Sequence, residues 1–269
     1  MININAVIFS KDRASQLHLL LESIHKNSPY LFNLNVLYTS SNQEFEKGYD
    51  ILKDMCKTNL WNVNFIKESN FKEDLMSLIK SDYKYTTFFT DDDVLFGEID
   101  YQTIEKSLSN EDVFCFSLRL GKNTTFCYTM NVPNQIVVSE ETENTVAWDW
   151  QKSWYDFGYP LSVDGHIFRT KEISKLSKSL NFSNPNTYEA ALQIYETFPR
   201  NLMESYQQSK LVGIPANVVQ NVFPNKNGEK FGFSVENLNE KFINGVYIDL
   251  EILDFSDIKG CHQEIEYKF

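Results

Sequence analysis

Thr90-Asp91-Asp92-Asp93-Val94 stands directly behind Tyr85-Thr86-Thr87-Phe88-Phe89, so three consecutive carboxylates follow what reads as a buried strand. In open parallel sheets, ligands bind outside the carboxyl ends of the strands. Three carboxylates placed there repel one another unless a cation or a set of hydrogen-bond donors compensates. A divalent cation such as Mg²⁺ or Mn²⁺ suits oxygen ligands, keeps part of its water and bridges to substrate phosphates. The competing reading is an acidic turn capping a following helix. Position behind a buried strand, rather than the number of Asp residues, favours the cation.

The elements that would position this triplet alternate along the first half. Ala6-Val7-Ile8-Phe9 is a short apolar run of the kind found in strands covered on both faces. Leu17, Leu20, Leu21 and Ile24 then recur at i, i+3, i+4 and i+7, one stripe of an amphipathic helix. A second strand is expected over 34–38. Ser41-Asn42-Gln43-Glu44 has capping-box spacing and opens a helix with Phe45, Tyr49, Leu52, Met55 and Cys56 on one face. A third strand over 61–66 precedes a helix aligning Phe71, Leu75, Leu78 and Ile79, and the fourth strand, 85–90, delivers the acidic triplet. Three strand–helix units in succession predict an α/β fold with a mostly parallel central sheet flanked by helices. The second half is less regular. Strands are expected over 113–118 and 163–169, helices over 171–178 and from 185 to about 200, and an exposed loop over 224–232. Residues 148–159 carry a dense block of aromatic side chains. No repeat and no long linker divides the 269 residues, which predicts one domain over 1–269.

Composition narrows the partners. The chain carries 25 basic against 37 acidic side chains, a net charge of −12, which disfavours nucleic acid and anionic membrane surfaces as partners. With 42% hydrophobic and 14% aromatic residues the chain is not disordered. No stretch of ~18 apolar residues predicts a transmembrane segment. Met1-Ile2-Asn3-Ile4-Asn5 lacks the basic, then apolar, start of a signal peptide, so the expected location is cytoplasmic. The four cysteines are widely spaced and read as reduced thiols. No G-x-G-x-x-G follows the first strand, and Gly121-Lys122-Asn123-Thr124 only mimics the end of a P-loop, with Phe116 where its first glycine belongs. Neither G-x-S-x-G nor H-E-x-x-H occurs.

Ala6-Val7-Ile8-Phe9-Ser10-Lys11-Asp12-Arg13, the helix stripe after it and Phe88-Phe89-Thr90-Asp91-Asp92-Asp93 together resemble glycosyltransferases of the GT-A fold, close to the family-2 type, over roughly the first 120 residues. The resemblance implies a GT-A-like fold in which residues 1–120 form the nucleotide-sugar-binding half and 121–269 the acceptor-binding half. It implies that Asp93 is a direct ligand of Mn²⁺ or Mg²⁺. Asp91 would touch the donor ribose or the metal shell, with Asp92 beside it. Ser10, Asp12 and Arg13 would line the nucleoside pocket. The Asp that commonly meets the nucleobase after the second strand is replaced by Thr39-Ser40-Ser41, which leaves Ser40 as the candidate there. A Q-x-x-R-W segment, usual in processive polymer synthases, is missing, which favours transfer of a single sugar.

Such a transfer, if inverting, needs a base on the acceptor hydroxyl and a charge sink for the departing nucleoside diphosphate. In this family the base tends to lie at the start of a late helix, and Glu189 in Asn184-Pro185-Asn186-Thr187-Tyr188-Glu189 sits there. Asn186 and Glu189 also have capping-box spacing, so Glu189 is read as either a base or a helix cap. Asp164 in Val163-Asp164-Gly165-His166 is the second candidate base. Arg119, behind an apolar strand, is a candidate phosphate partner or salt-bridge residue. His262 would complete the metal shell, as a late His does in some GT-A enzymes. The aromatic block over 148–159 is a candidate platform for an acceptor sugar or simply core. The expected partners are a nucleotide-sugar donor and a glycan or other hydroxyl acceptor, with bacterial surface glycan synthesis as the context the family suggests. The alternatives are a nucleotidyltransferase that makes sugar nucleotides and a catalytically silent sugar-nucleotide or glycan binder.

Overall fold

The computed structural model describes residues 4–79, 82–193, 200–219, 226, 228 and 230–269. The first half runs β1 (Ile4–Lys11), α1 (Ala14–Asn27), β2 (Phe32–Thr39), α2 (Gln43–Thr58), β3 (Val63–Lys67), α3 (Phe71–Leu78), β4 (Tyr85–Thr90), β5 (Asp93–Leu95), α4 (Tyr101–Ser109) and β6 (Val113–Ser117). The second half adds β7 (Phe126–Cys127), β8 (Val132–Pro133), β9 (Val138–Glu141), β10 (Thr145–Asp149), β11 (His166–Arg169), α5 (Thr170–Ser179), α6 (Pro185–Leu192), β12 (Leu202–Tyr206), β13 (Leu211–Gly213) and α7 (Val235–Ile243).

Nine strands form the main sheet in the order β3-β2-β1-β4-β11-β6-β12-β10-β9. The block β3-β2-β1-β4 is parallel throughout. β11 then enters antiparallel to both β4 and β6, β12 runs parallel to β6, and β10 and β9 close the sheet antiparallel. This is the expected α/β class, a central sheet flanked by helices, with a parallel block in the first half and the antiparallel β11 laid beside the strand that ends in the acidic triplet.

β1 shows why the sheet is covered on both faces. Successive side chains point to opposite sides, so Ala6 and Ile8 enter one core with Leu17 and Leu20 of α1, Tyr49 and Leu52 of α2, and Ile104 of α4. Val7 and Phe9 enter the other with Leu75 of α3, Ile173 of α5 and Tyr188 of α6. A third cluster, with Val94, Val212, Leu238, Ile258, Ile265 and Tyr267, packs the last segment of the chain beside β5 and β13. Asparagines pin the register of the parallel block. Asn5 Oδ1 accepts from Asn33 and Asn35 Nδ2, both at 3.0 Å, and Asn35 Oδ1 accepts from Asn64 Nδ2 at 3.0 Å. A one-residue slip would break each of these bonds, of which that between Asn35 and Asn5 is buried.

Several boundaries differ from expectation. The cap of α2 is Asn42, whose side chain accepts from Phe45 N, and not Ser41, whose backbone N–H is taken by Asp12. Strand pairing of β11 begins at His166 rather than at 163, because Gly165 turns the chain. α4, the short strands β5 and β7–β10, β12, β13 and α7 have no counterpart in the periodicity reading. The expected helix beyond 185 is described to Leu192, its remainder and most of the loop over 224–232 lying outside the described residues. All four cysteines are free and buried. Among the described residues, no helix is long and apolar enough to cross a membrane.

Candidate active site

The parallel strands β1 and β4 end side by side, which brings Ser10, Asp12 and Arg13 to the acidic triplet. Asp91 is nearly buried, and both of its oxygens are occupied. Oδ2 accepts from Ser10 Oγ at 2.9 Å and from Lys11 N at 3.1 Å, and Oδ1 from Arg13 Nη1 at 3.0 Å. Burial lifts its carboxyl to about 6, although the Arg13 charge opposes the rise. Ser10 in turn bonds Tyr49 OH at 2.7 Å. Arg13 also reaches Asp92 at 3.3 Å, gives Nε to Asn217 Oδ1 at 2.8 Å and donates Nη2 to the Asn217 carbonyl. Asp12 adopts φ +59°, a left-handed conformation that Asp tolerates better than most residues. Its Oδ1 accepts from Ser41 N at 2.6 Å and so joins the ends of β1 and β2. Ser40 donates to Glu46.

Asp93 faces the other way. Its Oδ2 accepts from Thr90 N at 2.9 Å, and burial, reinforced by the charges of Asp164 and Asp92, pushes its carboxyl well above the usual range. Asp164 accepts from Thr90 Oγ1 at 3.2 Å, from Arg119 Nη1 at 2.9 Å and from His262 Nε2 at 3.4 Å. Burial works against ionisation of Asp164, yet the His262 bond and the Arg119 charge hold it below the usual carboxylate range. Against burial, the bond to Asp164 and that carboxylate's charge hold His262 above its ordinary value, with the Arg119 charge opposing them. Two glycines make this meeting possible. A Cβ on Gly213 would lie 2.7 Å from the His262 ring and 3.5 Å from Asp93 Oδ1, and a Cβ on Gly165, itself at φ +67°, would strike Leu211 at 2.2 Å.

Arg119 is spent on carboxylates, reaching Asp156 at 3.8 Å as well as Asp164. Of the two readings of Arg119, the structure shows the salt-bridge one, as part of an ion-pair network. Glu189 is not a helix cap. Asn184 caps α6 with Thr187 completing the box, because Asn184 rather than Asn186 precedes the first helical turn. Glu189 instead reaches across to the loop before Asp164, where Oε1 accepts from Ser162 Oγ at 3.0 Å and Val163 N at 3.2 Å. Ser162 Oγ also accepts from Asp164 N at 3.3 Å, so one hydroxyl links the two candidate bases. Burial and the nearby Asp164 charge lift Glu189 to about 6. Within the aromatic block, Trp148 and Phe157 are core, whereas Trp154 and Tyr155 are exposed. Among the described residues no group of three or more His, Cys, Asp or Glu side chains is preassembled as a metal site.

Tyr49 and Asn217 reach the site from distant elements and carried no local signal for it, and Ser162, two residues before Asp164, had only that proximity to mark it.

No protein-family profile matches the chain. The bifunctional glycosyltransferase pgtA of Dictyostelium discoideum is 28% identical over 260 residues, an alignment covering 82% of this chain and 33% of that protein. The chain thus spans about a third of that relative's length. Among solved structures, residues 1–349 of S. aureus TarS in complex with UDP align at 12% identity and a TM-score of 0.49, covering 78% of this chain and 60% of that one. The 4-diphosphocytidyl-2C-methyl-D-erythritol synthase of Anaerococcus prevotii aligns at 10% identity and a TM-score of 0.43, covering 79% and 90%. The Dictyostelium relative, by name a glycosyltransferase, accords with the resemblance that the sequence carries.

Proposed function

We propose that the chain transfers a single sugar from a nucleotide sugar to an acceptor hydroxyl with inversion, assisted by Mn²⁺ or Mg²⁺, and that Glu189 is the base. The observation that carries this reading is one hydrogen-bonded network with a cation-demanding end and a proton-accepting end. At the first end, Asp93 is crowded by Asp92 and Asp164 beside His262. Asp93 and His262 would hold the cation, with waters and donor phosphates completing its shell. When bound, the cation neutralises charge developing on the departing diphosphate.

At the other end Glu189 has the better acidity for a base. Proton acceptors work best with values near the working pH. Glu189, at about 6, is mostly ionised at neutral pH yet basic enough to take a proton, whereas Asp164 is held down by three donors and is a weak base. Among the described residues Glu189 Oε2 takes no hydrogen bond, so it is open to an acceptor O–H. The hydroxyl proton passes to Glu189 as its oxygen bonds the anomeric carbon and the bond to the diphosphate breaks.

Glu189→Gln should lower the turnover of transfer or donor hydrolysis by roughly 10²–10⁴ while leaving the Kd of a nucleoside diphosphate near wild type. The wild-type rate should fall as pH drops through about 6, where Glu189 takes up its proton. Unchanged donor hydrolysis in Glu189→Gln would transfer the role to Asp164.

A further inference from the structure

The segment after α7 returns to the acidic triplet and is firmly anchored on the way. Gly213 N donates to the Cys261 carbonyl at 2.9 Å, and Gln263 N to the Gly213 carbonyl at 3.0 Å. Glu264 accepts from Tyr128 OH at 2.7 Å and from Lys230 N at 2.8 Å, and Asp249 N donates to the Lys268 carbonyl at 2.8 Å. The segment that brings His262 to Asp164 therefore also fixes Tyr267. The Tyr267 ring packs 5.3 Å from that of Phe233, whose carbonyl accepts from Asn217 Nδ2 at 3.2 Å, and Asn217 is the residue that holds Arg13.

Tyr267 is only 3% exposed, and its hydroxyl has no partner among the described residues. Burial, then the charges of Asp92 and Asp91 against that of Arg13, make the phenol far less acidic than usual, so the group stays an O–H donor at any working pH. Gln16, bonded to the same Asn217 at 3.3 Å, likewise keeps a buried Oε1 without a partner. Buried polar atoms are nearly always satisfied, and an orphaned donor beside a ligand site marks a place for a ligand acceptor.

Building on the nucleotide-sugar reading, we propose that Tyr267 is a donor-binding residue whose O–H hydrogen-bonds a phosphate oxygen of the bound nucleoside diphosphate. The residues on the protein side of this spot, Asp91 and Asp92, are acceptors already engaged by Arg13, and a cation at the triplet would bring the phosphates to it.

The test is Tyr267→Phe, which removes only the oxygen, with UDP titrated calorimetrically in the presence of Mn²⁺ and the ligand-free melting temperature read alongside. A hydrogen bond to a charged acceptor predicts UDP binding weakened at least about tenfold. The ligand-free melting temperature should stay level or rise, because an unsatisfied buried hydroxyl has been replaced by an apolar ring edge. Unchanged UDP affinity overturns the proposal, as does a ligand-free melting temperature that falls, since the hydroxyl would then serve the fold. Failure of the wild type to bind UDP, GDP, CDP or ADP would instead remove the nucleotide-sugar reading, and this proposal with it.

Discussion

Asp93 has the surroundings least suited to its own charge. Its carboxyl is buried, carries one backbone hydrogen bond and faces two further carboxylates, whereas Asp91, one turn of chain away, is fully paired with Arg13, Ser10 and Lys11 N. An acid raised in the folded state adds stability at low pH that is lost as pH climbs toward its folded value. Asp93→Asn keeps an acceptor for Thr90 N and removes the charge. The ligand-free variant should therefore melt above wild type by a margin that widens with pH, and should lose the Mn²⁺ dependence of UDP binding. A variant that still binds UDP in a Mn²⁺-dependent way with wild-type affinity would remove Asp93 from the cation shell. Calorimetric melting from pH 5 to 8 and titration with and without Mn²⁺ check both halves. That residues 10–13 and 91–93 meet was legible in the sequence because each group sits at the end of a strand that local order reveals. Arg119 was left between a phosphate partner and a salt-bridge residue because its partners, Asp164 and Asp156, lie 45 and 37 positions away, so the sequence shows a cation without its counter-charges.

At the scale of elements, α1 is clamped by aromatic rings. His18 lies among Trp61, Phe242 and Tyr247 with centroids 5.9, 5.6 and 5.4 Å away, and its buried Nδ1 has no partner among the described residues. Burial lowers it to about 4. Between the ordinary value near 6.5 and that folded value the unfolded chain binds the extra proton, so stability falls as pH drops through this window, by roughly 3 kcal/mol when the whole shift is expressed. His18→Phe should flatten this acid limb in urea titrations at pH 4–7. Parallel limbs for the two proteins would show that α1 stays packed with His18 charged. The helix itself was legible from Leu17, Leu20, Leu21 and Ile24, as were β1, β2 and β4, because strands buried on both faces and one-sided helices leave strong signals. α4 offers only Ile104 and Leu108 as buried apolar anchors, and α7 only Leu238 and Phe242, too few to declare a period. The capping of α6 was misplaced because Asn184 and Asn186 both stand three residues before a possible partner, and only the backbone decides between them.

For the whole molecule, the ligand site draws on residues from β1 through the segment after α7, so a bound nucleotide should stabilise the fold as a unit. At 100 times its Kd, a ligand bound only by the native state adds about 2.7 kcal/mol. At this chain length that corresponds to roughly 5–10 °C in melting temperature. UDP with Mn²⁺ should give such a shift and either alone much less. An equal shift from UDP without the cation would count against a metal-assisted site. One consequence concerns time. Arg13 and Asp91 are translated early, but His262 and Tyr267, which complete their surroundings, emerge some 250 residues after Ser10. At ~5–20 residues per second the ribosome needs roughly 12–50 s to cover that distance. For about the last two-thirds of that interval the nascent chain carries its acidic triplet without His262 and Tyr267, so on the proposed reading it should not turn over a sugar nucleotide until synthesis has passed both.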